Sequence, residues 1–163
     1  MALIRAYDRL RESVRFEPLL VLAGGEGWRN RAIRQAIAAS PFSSDIRVPG
    51  YLPDADLPAI MNGAALFVYP SIYEGFGLPP LEAMACGAPV IASKTSSLPE
   101  VVSDAAILID PHDAEELFHA MLTVLLDDDL RLRMRERSLE RARLFSWEKT
   151  AKETLAVYQE ACQ

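Results

Sequence analysis

The sequence predicts an α/β fold built on a doubly wound parallel sheet, and three observations carry that prediction. Short apolar runs of strand length alternate with segments whose apolar residues recur every three or four positions, which is the pattern of a parallel sheet with crossover helices. The run Leu19 to Ala23 ends in Gly24-Gly25-Glu26-Gly27, a buried strand entering a glycine turn. The length of 163 residues, half of them apolar and a quarter charged, suits one core rather than two.

Each element follows from local chemistry. Leu3, Ile4, Tyr7 and Leu10 recur at helical spacing and predict an amphipathic helix almost from the first residue. After the strand at 19–23 comes a helix around Asn30 to Ala39, then a short strand, Ile46-Arg47-Val48. Asp54 or Asp56 is placed to cap a helix running through Met61, and Ala65 to Val68 is the next strand. Pro79 to Cys86 reads as a helix that Gly87 stops, because proline suits the first turn and glycine the position after the last. Val90-Ile91-Ala92 and Ala106 to Ile109 bring the strands to five. From Asp113 the pattern is helical, interrupted near Asp127 and near Phe145-Ser146, with Ser146 as N-cap of the last helix. Five strands in β-α-β-α order make a Rossmann-like sheet with ligand chemistry at the carboxyl ends of its strands. One feature departs from that plan: such a domain should open with a strand, and this sequence opens with a helix.

Charge and composition narrow the partners. The net charge of −6 argues against nucleic acid as the main partner, since phosphate-backbone binding shows as a basic excess. The sum hides a pattern: residues 1–47 hold 8 basic and 5 acidic groups, 48–130 hold 1 and 13, and 131–163 hold 8 and 5. Lys94 is thus the single cation of the middle block. Cys86 and Cys162 show no metal or redox spacing and read as reduced thiols of a cytoplasmic protein. The N-terminus does not read as a signal peptide, and the longest uncharged run, Leu57 to Tyr73, is broken by Pro58, Asn62, Gly63 and Pro70, so no transmembrane segment is expected.

The stretch from Tyr69 to Glu100 carries the chemistry. A strand ends at Tyr69-Pro70, a loop follows with Ser71, Tyr73, Glu74, Gly75 and Gly77, and a helix starts near Pro79. Glycines leave backbone N–H groups open to close approach, and a helix start adds partial positive charge, so an anion can be held there without Lys or Arg. That accommodates a diphosphate in an acidic segment. Glu74 and Glu82, eight positions apart, can both face the strand ends. A carboxylate accepts two hydroxyl hydrogen bonds at once, which suits the vicinal diols of a ribose or hexose. The blander reading makes Glu82 a compensator of the helix dipole and Glu74 a solvated loop residue.

The segment EGFGLPPLEAMACGAPVIAS, with its Glu-x7-Glu pair, resembles the donor-binding domain of the group 1 (family 4) retaining glycosyltransferases, enzymes of GT-B architecture with two Rossmann-like domains. The flanking segments LLVLAGGEGW, VPGYLPDADLPAIMNGAALFVYPS, SSLPEVVSDAAILIDPHD and FSWEKTAKETLAVY extend the resemblance over essentially the whole chain. By position it implies that Glu74 is the catalytic residue bonding the transferred sugar and that Glu82 bonds the ribose. It also implies that the amides of Gly75, Phe76, Gly77 and Leu78 hold sugar hydroxyls and phosphate, that Gly50 and Tyr51 edge the base, and that Gly24 and Gly25 face the diphosphate. For Gly24 and Gly25 a tight strand-to-helix turn explains the residues almost as well.

The activity implied is transfer of a glycosyl group, mannosyl as the leading expectation, from a nucleotide diphosphate sugar to a glycan or lipid-linked acceptor with retention. No cofactor or metal is implied. Asp54-Ala55-Asp56 matches a bare D-x-D but reads as helix capping, and Asp127-Asp128-Asp129 as a solvated turn. His112 and His119 read as surface or packing residues, and the run from Arg131 to Arg143 as a solvated helix face, with an anionic membrane or a partner as the minor alternative.

The resemblance also implies departures. The family's opening strand, its following glycine and a basic pair lie before the point where this sequence starts, as does the acceptor domain. Residues 1–163 are therefore expected to be an N-terminally truncated donor domain with unpaired strand edges and little activity alone. In the full-length enzyme it would be cytoplasmic or peripheral at the inner membrane face. The alternative is a non-catalytic nucleotide-sugar-binding subunit that pairs with a separate acceptor domain. A dinucleotide-dependent oxidoreductase is excluded by the missing G-x-G-x-x-G spacing.

Overall fold

The computed structural model describes residues 2–25 and 30–162, so Glu26 and Gly27 of the glycine turn lie outside the described residues. The elements run α1 (Ala2–Ser13), β1 (Leu20–Ala23), α2 (Asn30–Ala39), β2 (Ile46–Gly50), α3 (Leu57–Gly63), β3 (Phe67–Tyr69), α4 (Leu78–Ala85), β4 (Val90–Ser93), α5 (Leu98–Val102), β5 (Ala106–Ile109), α6 (Ala114–Leu126), α7 (Asp128–Ala142) and α8 (Trp147–Ala161). All strand pairs are parallel, as the alternation of strand and helix requires.

The five strands do not all pair with one another. Two separate ladders form, β1 with β2 and β3-β4-β5, so β1 and β3 each carry one unpaired edge. β4 is the central strand of the larger ladder, and all four of its residues are buried. On β3 every residue is only half-buried, as befits an edge.

Helix α1 ties the two ladders together. Ala6 and Leu10 enter the cluster of Ile91, Ile109, Leu117 and Met121, while Ile4 and Tyr7 enter a second cluster with Ile46, flanked by Leu20, Leu22, Ala36 and Ile37. The spacing of four apolar positions thus serves two cores from one helix, and the Tyr7 hydroxyl donates to the carbonyl of Pro18 at 2.8 Å, fixing the turn into β1. A third cluster, around Met84, Val90, Ala92 and Val102, packs α4 and α5 on the larger ladder.

The helix caps divide into those the residue type delivers and those it does not. Ser146 accepts from the Lys149 amide at 3.1 Å and caps α8 as expected. Asp127, read as part of a solvated turn, in fact caps α7 by accepting from the Leu130 amide at 2.8 Å. The capping expected of Asp54 or Asp56 is not made: Asp56 sits before α3 in a helical backbone conformation with no side-chain cap bond, and Asp54 accepts instead from the Tyr51 hydroxyl at 3.2 Å.

The arginine run is less solvated than its composition suggests. Arg131 donates to the carbonyls of Val124 and Leu125, Arg135 to that of Gly87, and Arg141 to those of Glu100 and Val101. Guanidinium groups with several fixed donors thus tie α7 to the elements beneath it. His119 is exposed beside Glu115 and against the Phe118 ring, the surface role expected of it. Among the described residues, no helix is long and apolar enough to cross a membrane.

Candidate functional site

Two loop clusters lie at the carboxyl ends of the strands. At the first, Ala23 pairs with Gly50 across the β1–β2 ladder, and the Gly24 amide donates to the Gly50 carbonyl at 3.0 Å. Gly24 (φ 145°) and Gly50 (φ 81°) both adopt backbone conformations that side chains disfavour, so glycine is required there for geometry alone. A Cβ added at Gly24, Gly25 or Gly50 would meet nothing within 4 Å. Tyr51 follows with its ring mostly exposed.

The second cluster is the loop from β3 to α4. The Glu74 carboxylate is held from two sides: Oε1 accepts from the Tyr69 hydroxyl at 2.7 Å and from Ser71 Oγ at 2.8 Å. Both donors sit at the end of β3 or just beyond it, so the strand fixes the carboxylate. Burial, and then this bond to Glu74, pushes the Tyr69 hydroxyl well above the ordinary tyrosine value, which keeps it protonated as a donor. Sequence reasoning found Glu74 but not Tyr69 or Ser71. Their place at a strand's carboxyl end was the available signal.

Among the described residues, the amides of Gly75, Phe76, Gly77 and Leu78 donate to no acceptor. The helix start contributes less than expected, because Pro79 and Pro80 remove two of the N–H groups that a helix N-terminus normally leaves free. The loop amides and that of Leu78 therefore make up the donor set. Gly77 precedes α4 at φ 107°, and a Cβ there would lie 2.7 Å from Leu98 Cδ2, so the loop closes tightly on α5.

Glu82 stands in the second turn of α4, exposed, with its carboxylate unbonded among the described residues. Four residues on, burial and then the charge of Glu82 raise the Cys86 thiol above its ordinary value. The loop's outer surface is apolar, with Ile72, Tyr73, Phe76 and Leu78 exposed. Lys94, at the end of β4, lies 3.5 Å from Glu116 Oε2. Among the described residues, no group of three or more His, Cys, Asp or Glu is arranged to hold a metal ion.

A second layer steadies the loop from α7. The Phe76 ring meets Phe145 edge-on, with centroids 6.0 Å apart, and the Arg141 guanidinium lies 5.0 Å over the Phe145 ring while it bonds the end of α5. Edge-to-face rings and a cation over a ring face are both favoured by the ring quadrupole.

The family described as "Glycosyl transferases group 1" matches residues 2–141. The chain is 43% identical over 157 residues to the O-antigen chain mannosyltransferase B of Escherichia coli, a match covering 96% of this chain and 41% of that protein. It is 37% identical over 152 residues to the serotype-specific mannosyltransferase WbdA of Escherichia coli, covering 92% and 19%. The solved sucrose-phosphate synthase of Thermosynechococcus elongatus superposes with a TM-score of 0.84 at 28% identity, over 97% of this chain and 42% of that one. The chain thus spans less than half the length of these relatives. On the family match and these relatives, the chain belongs to the group 1 glycosyltransferases.

Proposed function

We propose that this chain is the donor-binding half of a retaining glycosyltransferase, which binds a nucleoside diphosphate sugar for transfer of the glycosyl group, mannosyl first among them, to a glycan or lipid-linked acceptor. The observation that carries the reading is the β3–α4 loop, where a carboxylate fixed by two hydroxyls stands beside four backbone amides without acceptors. Glu74 then bonds the transferred sugar, Glu82 the ribose, and the amides of residues 75–78 the sugar hydroxyls and phosphate. Gly24 and Gly25 face the diphosphate, and Gly50 and Tyr51 edge the base. The two Escherichia coli relatives are named as mannosyltransferases, which supports mannosyl as the transferred group.

In this reading the protein's part in the reaction is electrostatic. As the diphosphate leaves the anomeric carbon, charge grows on its oxygens, and fixed amides stabilise that charge with no reorganisation at the moment of reaction. No metal is required in this scheme. Free thiols at Cys86 and Cys162 fit a cytoplasmic setting.

α1 and α2 lie on the same face of the β1–β2 ladder, since Ile4, Tyr7, Ala36 and Ile37 all pack round Ile46. A right-handed crossover through α1 would therefore progress in the same direction as the one through α2, toward the unpaired edge of β1.

Isothermal titration with UDP, GDP and ADP, and with their hexose conjugates, tests the reading. Saturable binding of one nucleotide class, weakened by Glu82→Ala, is expected. No binding of any of them by the folded chain would reject it.

A further inference from the structure

We propose that Thr95, Ser96 and Ser97, three consecutive hydroxyl residues after β4, are positioning residues that set the β3–α4 loop and with it Glu74; the role rests on the donor-site reading of that loop. Together the three hydroxyls reach the main chain of Ser71, Glu74 and Phe76, 21 to 24 residues away in sequence. Thr95 Oγ1 donates to the Ser71 carbonyl at 3.2 Å, and Ser96 Oγ accepts from the Glu74 amide at 3.0 Å. Ser97 Oγ bonds the Phe76 carbonyl at 2.8 Å and the Glu74 carbonyl at 3.2 Å. The next residue, Leu98, is fully buried and is the side chain against which Gly77 closes.

Two local sacrifices mark the arrangement as more than packing. Ser96 holds φ at 51°, a left-handed conformation that residues with a Cβ adopt only at a cost. Ser97 occupies the N-cap position of α5, where serine ordinarily bonds an amide of its own helix, yet it makes no such bond. Its hydroxyl is spent on the loop instead. Both local costs are borne where a hydroxyl reaches the backbone of the residue that carries the carboxylate, or of its neighbour two positions on. Tyr69 and Ser71 hold the Glu74 side chain, and the 95–97 segment holds its main chain from the adjacent strand end.

The test separates holding the loop from merely stabilising the fold. Ser96→Gly removes the hydroxyl and also relieves the left-handed strain, so its thermal midpoint should equal or exceed that of the unaltered chain. Amide hydrogen exchange across residues 73–78 should meanwhile accelerate about 10-fold, and affinity for the nucleotide sugar that binds best among those of UDP, GDP and ADP should fall about 5-fold, the scale of one lost hydrogen bond. Ser97→Ala should weaken binding similarly, and Ser97→Thr should restore it. Unchanged exchange and affinity in both Ser96→Gly and Ser97→Ala would overturn the proposal, as would losses of affinity that simply track the thermal midpoint. If the unaltered chain binds none of these probes, the donor-site reading fails, while exchange across residues 73–78 alone still decides whether the hydroxyls hold the loop: acceleration supports the role, and unchanged exchange overturns it.

Discussion

The Tyr69 hydroxyl donates to Glu74 Oε1 across 2.7 Å, joining the last residue of β3 to the carboxylate of the loop that follows it. Ser71 Oγ reaches the same oxygen at 2.8 Å, so this carboxylate oxygen is committed to protein donors. A carboxylate has room for further hydrogen bonds, and a ligand hydroxyl would meet a group already fixed in place.

Removing those donors should loosen sugar recognition without touching nucleotide recognition. Tyr69→Phe is expected to weaken binding of the nucleoside diphosphate sugar about 5- to 10-fold, while the bare diphosphate binds as before. Paired titrations of the two ligands read this directly. If the Tyr69→Phe/Ser71→Ala double variant keeps full affinity for the sugar conjugate, Glu74 does not bond the sugar.

The same tyrosine predicts a pH dependence. Burial and the Glu74 bond raise its folded-state value above the ordinary 10.0. The unfolded chain therefore releases this proton first as pH rises, so the stabilisation is complete below 10.0 and is lost from there up to the folded value. Urea unfolding of the native chain should show a steeper fall in stability above about pH 10 than Tyr69→Phe does. Parallel slopes would contradict the assignment.

Glu82 offers a change that should leave the fold alone. Its side chain is exposed and unbonded among the described residues, so Glu82→Ala should keep the thermal midpoint while weakening nucleotide binding by about 1 to 3 kcal/mol, the scale of lost charged hydrogen bonds. A second readout accompanies it. Without the Glu82 charge the Cys86 thiol should titrate at lower pH, detectable as faster alkylation near neutrality.

The two loop glycines should respond differently to one added methyl. Gly77→Ala meets the Leu98 side chain at 2.7 Å in a backbone conformation at φ 107°, so a destabilisation of about 1 to 3 kcal/mol is expected. Gly75 has no positive φ, and nothing lies within 4 Å of its added Cβ, so Gly75→Ala should fold normally. Thermal melts of the two variants decide this, and equal midpoints would refute the contact with Leu98.

Much of the fold was legible because it is written in local periodicity. Residues 3, 4, 7 and 10 mark a helix whatever surrounds it, and five short apolar runs between helical patterns mark parallel strands. Ser146 caps α8 because serine before a helix finds an amide within its own backbone, a contact that needs no distant partner. Glu74 stood out as a candidate for the same reason: it sits among glycines before a helix start, and that spacing is local.

The tertiary structure decided what depends on residues far apart in sequence. Asp56 has the composition of a cap and makes none, while Ser97 stands at a cap position and bonds a loop more than twenty residues earlier. The arginines of α7 read as a solvated run until their partner carbonyls at Gly87, Glu100 and Val101 come into contact. Whether strands join one sheet or two is likewise a matter of ladder pairing, and pairing leaves no trace in the composition of a short apolar run. By itself the sequence determined the elements and the family and marked Glu74 as a candidate, because these rest on short-range spacing. The tertiary structure determined how that carboxylate is held, because its supports come from β3, the end of β4 and the junction of α7 with α8, which only folding brings together.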